Sequence, residues 1–108
     1  MRKGEVWFTE IPIGSGHEQV GKRPAVLMSQ PEAGTVMAVP LTSNLQALKY
    51  SYTLELLPSP DNGLKTVSVA LVFQLRAIDI GRLDNRVGFL GQDDMAEIDS
   101  SVRDLLGL

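Results

Sequence analysis

Two short stretches concentrate the side chains that can act on a phosphodiester. The first is the polar run His17-Glu18-Gln19-Val20-Gly21-Lys22-Arg23, and the second is Thr42-Ser43, just past an apolar run. Cleaving a ribose phosphodiester through its own 2′-hydroxyl needs a base for that hydroxyl and a proton for the departing 5′-oxygen. It also needs fixed positive charge for the phosphorane. His17 or Glu18 can take the proton. Arg23 adjoins Pro24, where a strand begins, so its backbone is held, and a guanidinium placed this way grips a phosphate with two parallel hydrogen bonds. The hydroxyls of Thr42 and Ser43 can donate to phosphate oxygens. Each residue also has an ordinary explanation. A lone loop histidine is commonly just solvated, Arg-Pro beside a strand is structural, and Thr-Ser after a proline forms turns. Glu18 with Lys22 could be a surface ion pair of little consequence. Residue types alone specify a small β-rich domain and leave its activity open.

The elements that would position these groups are mostly strands. Val6-Trp7-Phe8 opens a first strand running with interruptions to Ile11, with Trp7 read as core, and Pro12 and Gly14-Ser15-Gly16 close it. Pro24 starts a second, Ala25-Val26-Leu27-Met28, at a position where a proline forfeits no required ladder bond. A short turn, Gln30 to Gly34, leads to Thr35-Val36-Met37-Ala38-Val39, apolar enough to be buried on both faces and ended by Pro40. The short connection predicts an antiparallel hairpin. If the first three strands are neighbours, the Arg23 loop and the Thr42-Ser43 loop emerge at one end of the sheet. Tyr52–Leu56 alternates as a half-exposed strand, and Asp61-Asn62-Gly63 is a strong turn signal. Val67–Val72, Leu75–Asp79 and Val87–Leu90 complete six or seven strands. The period then changes: Met95, Ile98, Val102, Leu105 and Leu106 recur at helical spacing, behind an apparent capping box from Asp94 to Glu97. The reading is a strongly bent, barrel-like antiparallel sheet closed by one amphipathic C-terminal helix.

Composition narrows the chemistry. The 108 residues suit one domain with no repeat or linker. There is no cysteine and one histidine, so neither a disulfide framework nor a thiolate or imidazole zinc site is expected. No signal peptide or membrane-spanning run is legible, and a cytoplasmic protein is expected. The net charge of −3 argues by itself against a nucleic-acid binder. Its distribution changes that: residues 1–54 sum to +1 and residues 55–108 to −4, with five acids between Asp93 and Asp104. The acidity belongs to the helix, which leaves room for a positive groove elsewhere.

The order of the pieces is more specific than any of them. Gly4-Glu5-Val6-Trp7, Gly16-His17-Glu18-Gln19 and Gly21-Lys22-Arg23-Pro24-Ala25-Val26-Leu27 together resemble the N-terminal signature of the MazF/PemK toxins. Val39-Pro40-Leu41-Thr42-Ser43 resembles their second motif, and Ser68 to Asp79, followed by Gly81-Arg82-Leu83, their third. The resemblance runs through the whole chain to Leu105-Leu106-Gly107-Leu108. It implies an SH3-like barrel of the CcdB/PemK type with a C-terminal helix, forming a homodimer. It further implies cofactor- and metal-independent cleavage of single-stranded RNA at short sequences, giving a 2′,3′-cyclic phosphate and a 5′-hydroxyl, and neutralisation by a cognate antitoxin. The family's catalytic arginine falls on Arg23 and its threonine on Thr42. The acid or histidine of its first loop falls on Glu18 or His17, and RNA contacts fall to Gln19, Lys22, Ser43, Gln74 and Arg76. Phe73 departs from the pattern, since many relatives carry an acid there, and this shifts weight onto the first loop. The Pro31–Gly34 turn is also short. Two rival readings use the same fold: a gyrase poison acting on a protein target through its C-terminal helices, and a catalytically dead binding module.

Overall fold

The computed structural model of the chain describes residues 1–10 and 22–108. Seven strands are found among them: β1 Glu5–Glu10, β2 Lys22–Leu27, β3 Thr35–Thr42, β4 Thr53–Leu56, β5 Ser68–Leu71, β6 Arg76–Asp79 and β7 Leu83–Phe89. One α-helix, α1 Gln92–Leu106, follows them. All the pairings are antiparallel, in the order β4-β5-β3-β2-β1-β7, with β6 attached to β3. The mainly β fold with a C-terminal helix is therefore as the sequence pattern indicates, and β2 and β3 form the expected hairpin.

The sheet has two buried faces because alternate residues of its central strands enter different cores. Val26 of β2 and Val39 and Leu41 of β3 join Val6, Leu56 and Ile98 of α1 in the larger cluster. Ala25 and Leu27, with Val36 and Ala38, join Ile78 in the smaller one, against which Trp7, Ile80 and Leu83 pack. Only the second half of β3 is buried on both faces. Thr35 and Met37 are exposed, so the expectation of full burial holds from Ala38 onward. Nor does Pro40 end the strand. Residues Thr35–Ala38 pair with β6, whereas Leu41 and Thr42 pair with β5. Pro40 falls between the two pairings, where a missing N–H does least harm. Trp7 is half-buried rather than fully in the core.

The helix begins earlier than its sequence suggests. Gly91 is the N-cap and makes no side-chain cap bond, so Asp94 lies within the first turn and no capping box forms. Asp93 and Asp94 instead face the positive end of the helix dipole. Ile98 is fully buried, with Met95, Val102 and Leu105 beside it. Burying one such aliphatic side chain stabilises by about 1.5–3 kcal/mol. Leu106, the last residue of the helix, lies on the same stripe but is exposed.

β7 starts at Leu83, four residues before the pattern indicates, because its first half earns its place by pairing with β1 rather than by hydrophobicity. Trp7 lies opposite Arg86, and Phe8 opposite Asn85. Glu5 is the hinge of this pairing. Its Oε1 accepts from the Trp7 indole N–H at 3.0 Å and the Arg2 amide at 3.1 Å, and its Oε2 lies 3.3 Å from Arg86 Nε. Burial pushes the Glu5 carboxyl up, but the bonds from Trp7 and Arg2, the N-terminal ammonium and Arg86 together outweigh it and hold the group below its ordinary value. The folded state therefore binds fewer protons than the unfolded chain across that interval. Glu5's contribution is complete above the ordinary value of 4.5 and is lost as pH falls through the lowered one. Thermal unfolding followed from neutral to acid pH should show the wild type losing more stability below that point than Glu5→Gln. Parallel acid limbs would refute this account of Glu5.

The loop between β4 and β5 is locked onto β7 by close backbone contact. A Cβ on Gly88 would penetrate the Asp61 carbonyl oxygen, and one on Gly63 the Val87 carbonyl oxygen. Gly63 also has φ +67°, which favours glycine. Gly88→Ala should lower stability by about 1–3 kcal/mol through overpacking. At Gly91 a Cβ meets nothing within 4 Å, so Gly91→Ala should shift the urea midpoint far less.

Candidate functional site

A single groove of about 780 Å³ collects most of the described candidates. Lys22, Arg23 and Pro24 enter it from β2, and Leu41, Thr42 and Ser43 from the end of β3. The antiparallel register explains the meeting. Ala25 pairs with Pro40, so the start of β2 and the end of β3 lie at the same end of the sheet. Two segments about twenty residues apart are thus brought together by one hairpin, the arrangement expected if the first three strands are neighbours.

Arg23 is held on β2 opposite Thr9 of β1 and is partly buried. Thr42 is also partly buried, and its Oγ1 accepts the Asn44 amide N–H at 3.1 Å. That bond occupies a lone pair and leaves the hydroxyl proton to donate elsewhere. The Asn44 side chain in turn caps the short 3-10 helix Leu45–Lys49 by accepting from the Gln46 N–H at 3.1 Å, so the turn beyond Thr42 is fixed. Ser43 is exposed at the rim. Lys22 Nζ lies 2.8 Å from Asp84 Oδ2, a bond that raises the lysine's pKa. Both partners are half-exposed, so the pair orients the ammonium more than it stabilises the fold. His17, Glu18 and Gln19 lie outside the described residues.

Gln74 and Arg76 do not line the groove. Gln74 ends the 3-10 turn Val72–Gln74, and Arg76 opens β6 opposite Ala38, at the far part of β3 from Thr42. Phe73 is exposed beside them and packs on Tyr50 with ring centroids 5.8 Å apart. The groove instead recruits groups that the sequence did not single out. Lys65 and Thr66 come from the β4–β5 loop, and Asn85 and Arg86 from the first half of β7. The last two escaped notice because they lie on a polar stretch recognisable as strand only through its pairing with β1. Lys65 follows a turn that is legible, but nothing local says which way that turn faces.

The lining carries four cations, Lys22, Arg23, Lys65 and Arg86, and no acid among the described residues. Five of the thirteen acids sit instead on α1. The chain is acidic as a whole and basic in its groove. Such a concentration of like charge in a concavity attracts polyanions. Among the described residues no three acidic or histidine side chains form a metal-holding group.

The chain resembles proteins of known type along nearly all its length. It is 30% identical over 112 aligned positions to the endoribonuclease MazF9 of Mycobacterium tuberculosis, covering 95% of this chain and 93% of that protein. Its structure superposes on MazF from Deinococcus radiodurans with a TM-score of 0.75 at 28% identity, covering 99% of this chain and 96% of that one. A MazE–MazF structure from the same organism matches with a TM-score of 0.75 at 24% identity, covering 100% of this chain and 96% of the other. The family model of PemK-like, MazF-like toxins spans residues 2–106, taking in both strands that supply Arg23 and Thr42 and the helix that closes the fold, and the chain belongs to that family of type II toxin–antitoxin toxins.

Proposed function

We propose that this chain is an endoribonuclease toxin that cuts single-stranded RNA at a short sequence, without metal. The observation that carries the proposal is the convergence of Arg23 and Thr42 in one basic groove free of acids among the described residues. The relative in Mycobacterium tuberculosis, named as an endoribonuclease, supports the same reading.

In this reading the RNA backbone lies along the groove. Glu18 or His17 takes the proton of the 2′-hydroxyl as its oxygen attacks phosphorus. The bond from phosphorus to the 5′-oxygen breaks, that oxygen takes a proton from water while the base later gives its own back to solvent, and the products are a 2′,3′-cyclic phosphate and a 5′-hydroxyl. Arg23 gives two N–H groups to the non-bridging oxygens as charge builds on the phosphorane. A guanidinium scarcely deprotonates, so Arg23 works by its charge and donors rather than as a proton source. Thr42 donates its free hydroxyl hydrogen to the phosphate and fixes its orientation. Lys22 and Ser43 hold the backbone at the rim. Gln19 contributes from the first loop, and Gln74 and Arg76 meet RNA that extends past the groove.

The 108 residues act as one toxin domain in the cytoplasm, paired in a homodimer. A cognate antitoxin silences the toxin with a disordered acidic segment that folds against the same cations and displaces RNA. Support for this partner comes from the related structure that contains MazE with MazF.

Purified protein incubated with long single-stranded RNA in EDTA should cut at one short sequence and leave cyclic-phosphate ends. Arg23→Ala should lower kcat by about 10²–10³, the loss typical of removing one transition-state donor. Thr42→Val should lower it less. No cutting of any of several long RNAs by folded protein would overturn the reading and turn attention to a protein target such as gyrase.

A further inference from the structure

We propose that Lys65, with Thr66, forms a second phosphate subsite in the groove, one that holds a phosphodiester next to the one being cut. The proposal rests on the nuclease reading above and assigns the Lys65–Thr66 wall a ligand class: the backbone phosphates of single-stranded RNA.

Three observations lead there. The first is how the groove cations are engaged. Lys22 is tied to Asp84 at 2.8 Å, Arg86 to Glu5 at 3.3 Å, and Arg23 is assigned to the reacting phosphate. Lys65 is exposed, lines the groove, and has no ion-pair partner among the described residues. Its charge is thus available to an arriving anion. A flexible ammonium is a point charge with three donors, suited to a phosphate that must be held but not clamped in one geometry.

The second is that the backbone on both sides of Lys65 is pinned. Asn62, 1% exposed, accepts the Ser59 and Leu64 amides at 3.0 and 2.9 Å and donates its Nδ2 to the Leu57 carbonyl at 2.9 Å. The Phe89 amide donates to the Asp61 carbonyl at 3.0 Å, and Leu64 enters the larger core. Beyond Lys65, the buried Ser68 hydroxyl donates to the Thr66 carbonyl at 3.2 Å. The ordering entropy of this wall is therefore spent on folding and not on binding.

The third is the source of the wall. Arg23 and Thr42 arrive through the β2–β3 hairpin, whereas Lys65 and Thr66 arrive from the β4–β5 loop locked on β7. The groove thus carries cations from two separate segments of the chain. An extended polyanion meets such a surface with more than one phosphate.

The test uses the full chain and a 2′-O-methyl oligonucleotide carrying the mapped cleavage sequence, which binds but cannot be cut. Binding is followed by fluorescence anisotropy between about 50 and 200 mM salt. Lys65→Gln should weaken binding several-fold and flatten the slope of log K against log salt by about 0.7, the value of one single-strand phosphate contact. Cleavage by the same variant should lose more through KM than through kcat, and Lys65→Arg should restore the slope. Lys49→Gln removes the same charge outside the groove and should leave the slope as in the wild type. A Lys65→Gln protein with wild-type slope and KM would overturn the subsite, as would an equal loss in Lys49→Gln. Wild-type protein that neither binds nor cuts RNA would overturn the nuclease reading itself, an outcome distinct from the failure of Lys65 alone.

Discussion

The eight residues of β3 are the constraint from which the rest of the structure follows. This strand pairs with three others: β2 along its middle, β6 along its first half and β5 at its last two residues. From Ala38 to Leu41 it is buried, so its apolar side chains must serve two cores at once. A one-residue slip would exchange the faces and send each set into the core packed for the other. The register is therefore closely specified, and with it the position of Thr42 at the strand's end and of Arg23 at the start of its hairpin partner. The groove inherits its geometry from packing that has nothing to do with substrate.

That separation of tasks extends to charge. A chain of net charge −3 is a poor candidate for meeting an anionic polymer unless its acids are kept away from the contact surface. Among the described residues none lines the groove: five lie along α1, where two favour the helix dipole and Asp99 holds Lys3 at 2.9 Å. Of those beside the groove, Glu10 faces Lys22 across the β1–β2 pairing, and Glu5 and Asp84 are each engaged with a cation. These pairs lower the local potential somewhat, but they also fix where the Arg86 and Lys22 side chains stand. Orientation is thereby gained at the cost of field strength.

How much of this was legible in the sequence depends on whether the determining interaction is local. Strand alternation, Gly- and Pro-marked turns and the helical spacing of Met95, Ile98, Val102 and Leu105 are local, and they gave the fold class. The meeting of Arg23 and Thr42 was legible too, because a single short hairpin connects them. Asp94 was misread as a cap because the sequence pattern does not say that Gly91, with no side chain to cap with, can start the helix three residues sooner. Pro40 was misread as a stop because its tolerance depends on β3 changing partners there. Asn85, Arg86 and Lys65 were missed for a related reason: their place in the groove comes from β7 lying against β1 and from the glycine contacts that lock a distant loop onto it. Gln74 and Arg76 were named from a motif, and the fold carries that motif past the groove into β6.

The strength of the site lies in how its donors are held rather than in their number. An exposed arginine on a loose loop must be ordered when its ligand arrives, and that ordering subtracts from what the charge contributes. Arg23 is within a strand, paired across to Thr9, and beyond Pro24 the strand runs through three buried residues. The Thr42 hydroxyl is oriented by the Asn44 amide, which belongs to a turn capped by Asn44 itself. In the proposed reaction these two groups would meet the charge developing on a phosphate from supports that folding has already fixed, and preorganisation of this kind is what makes fixed dipoles more effective than water.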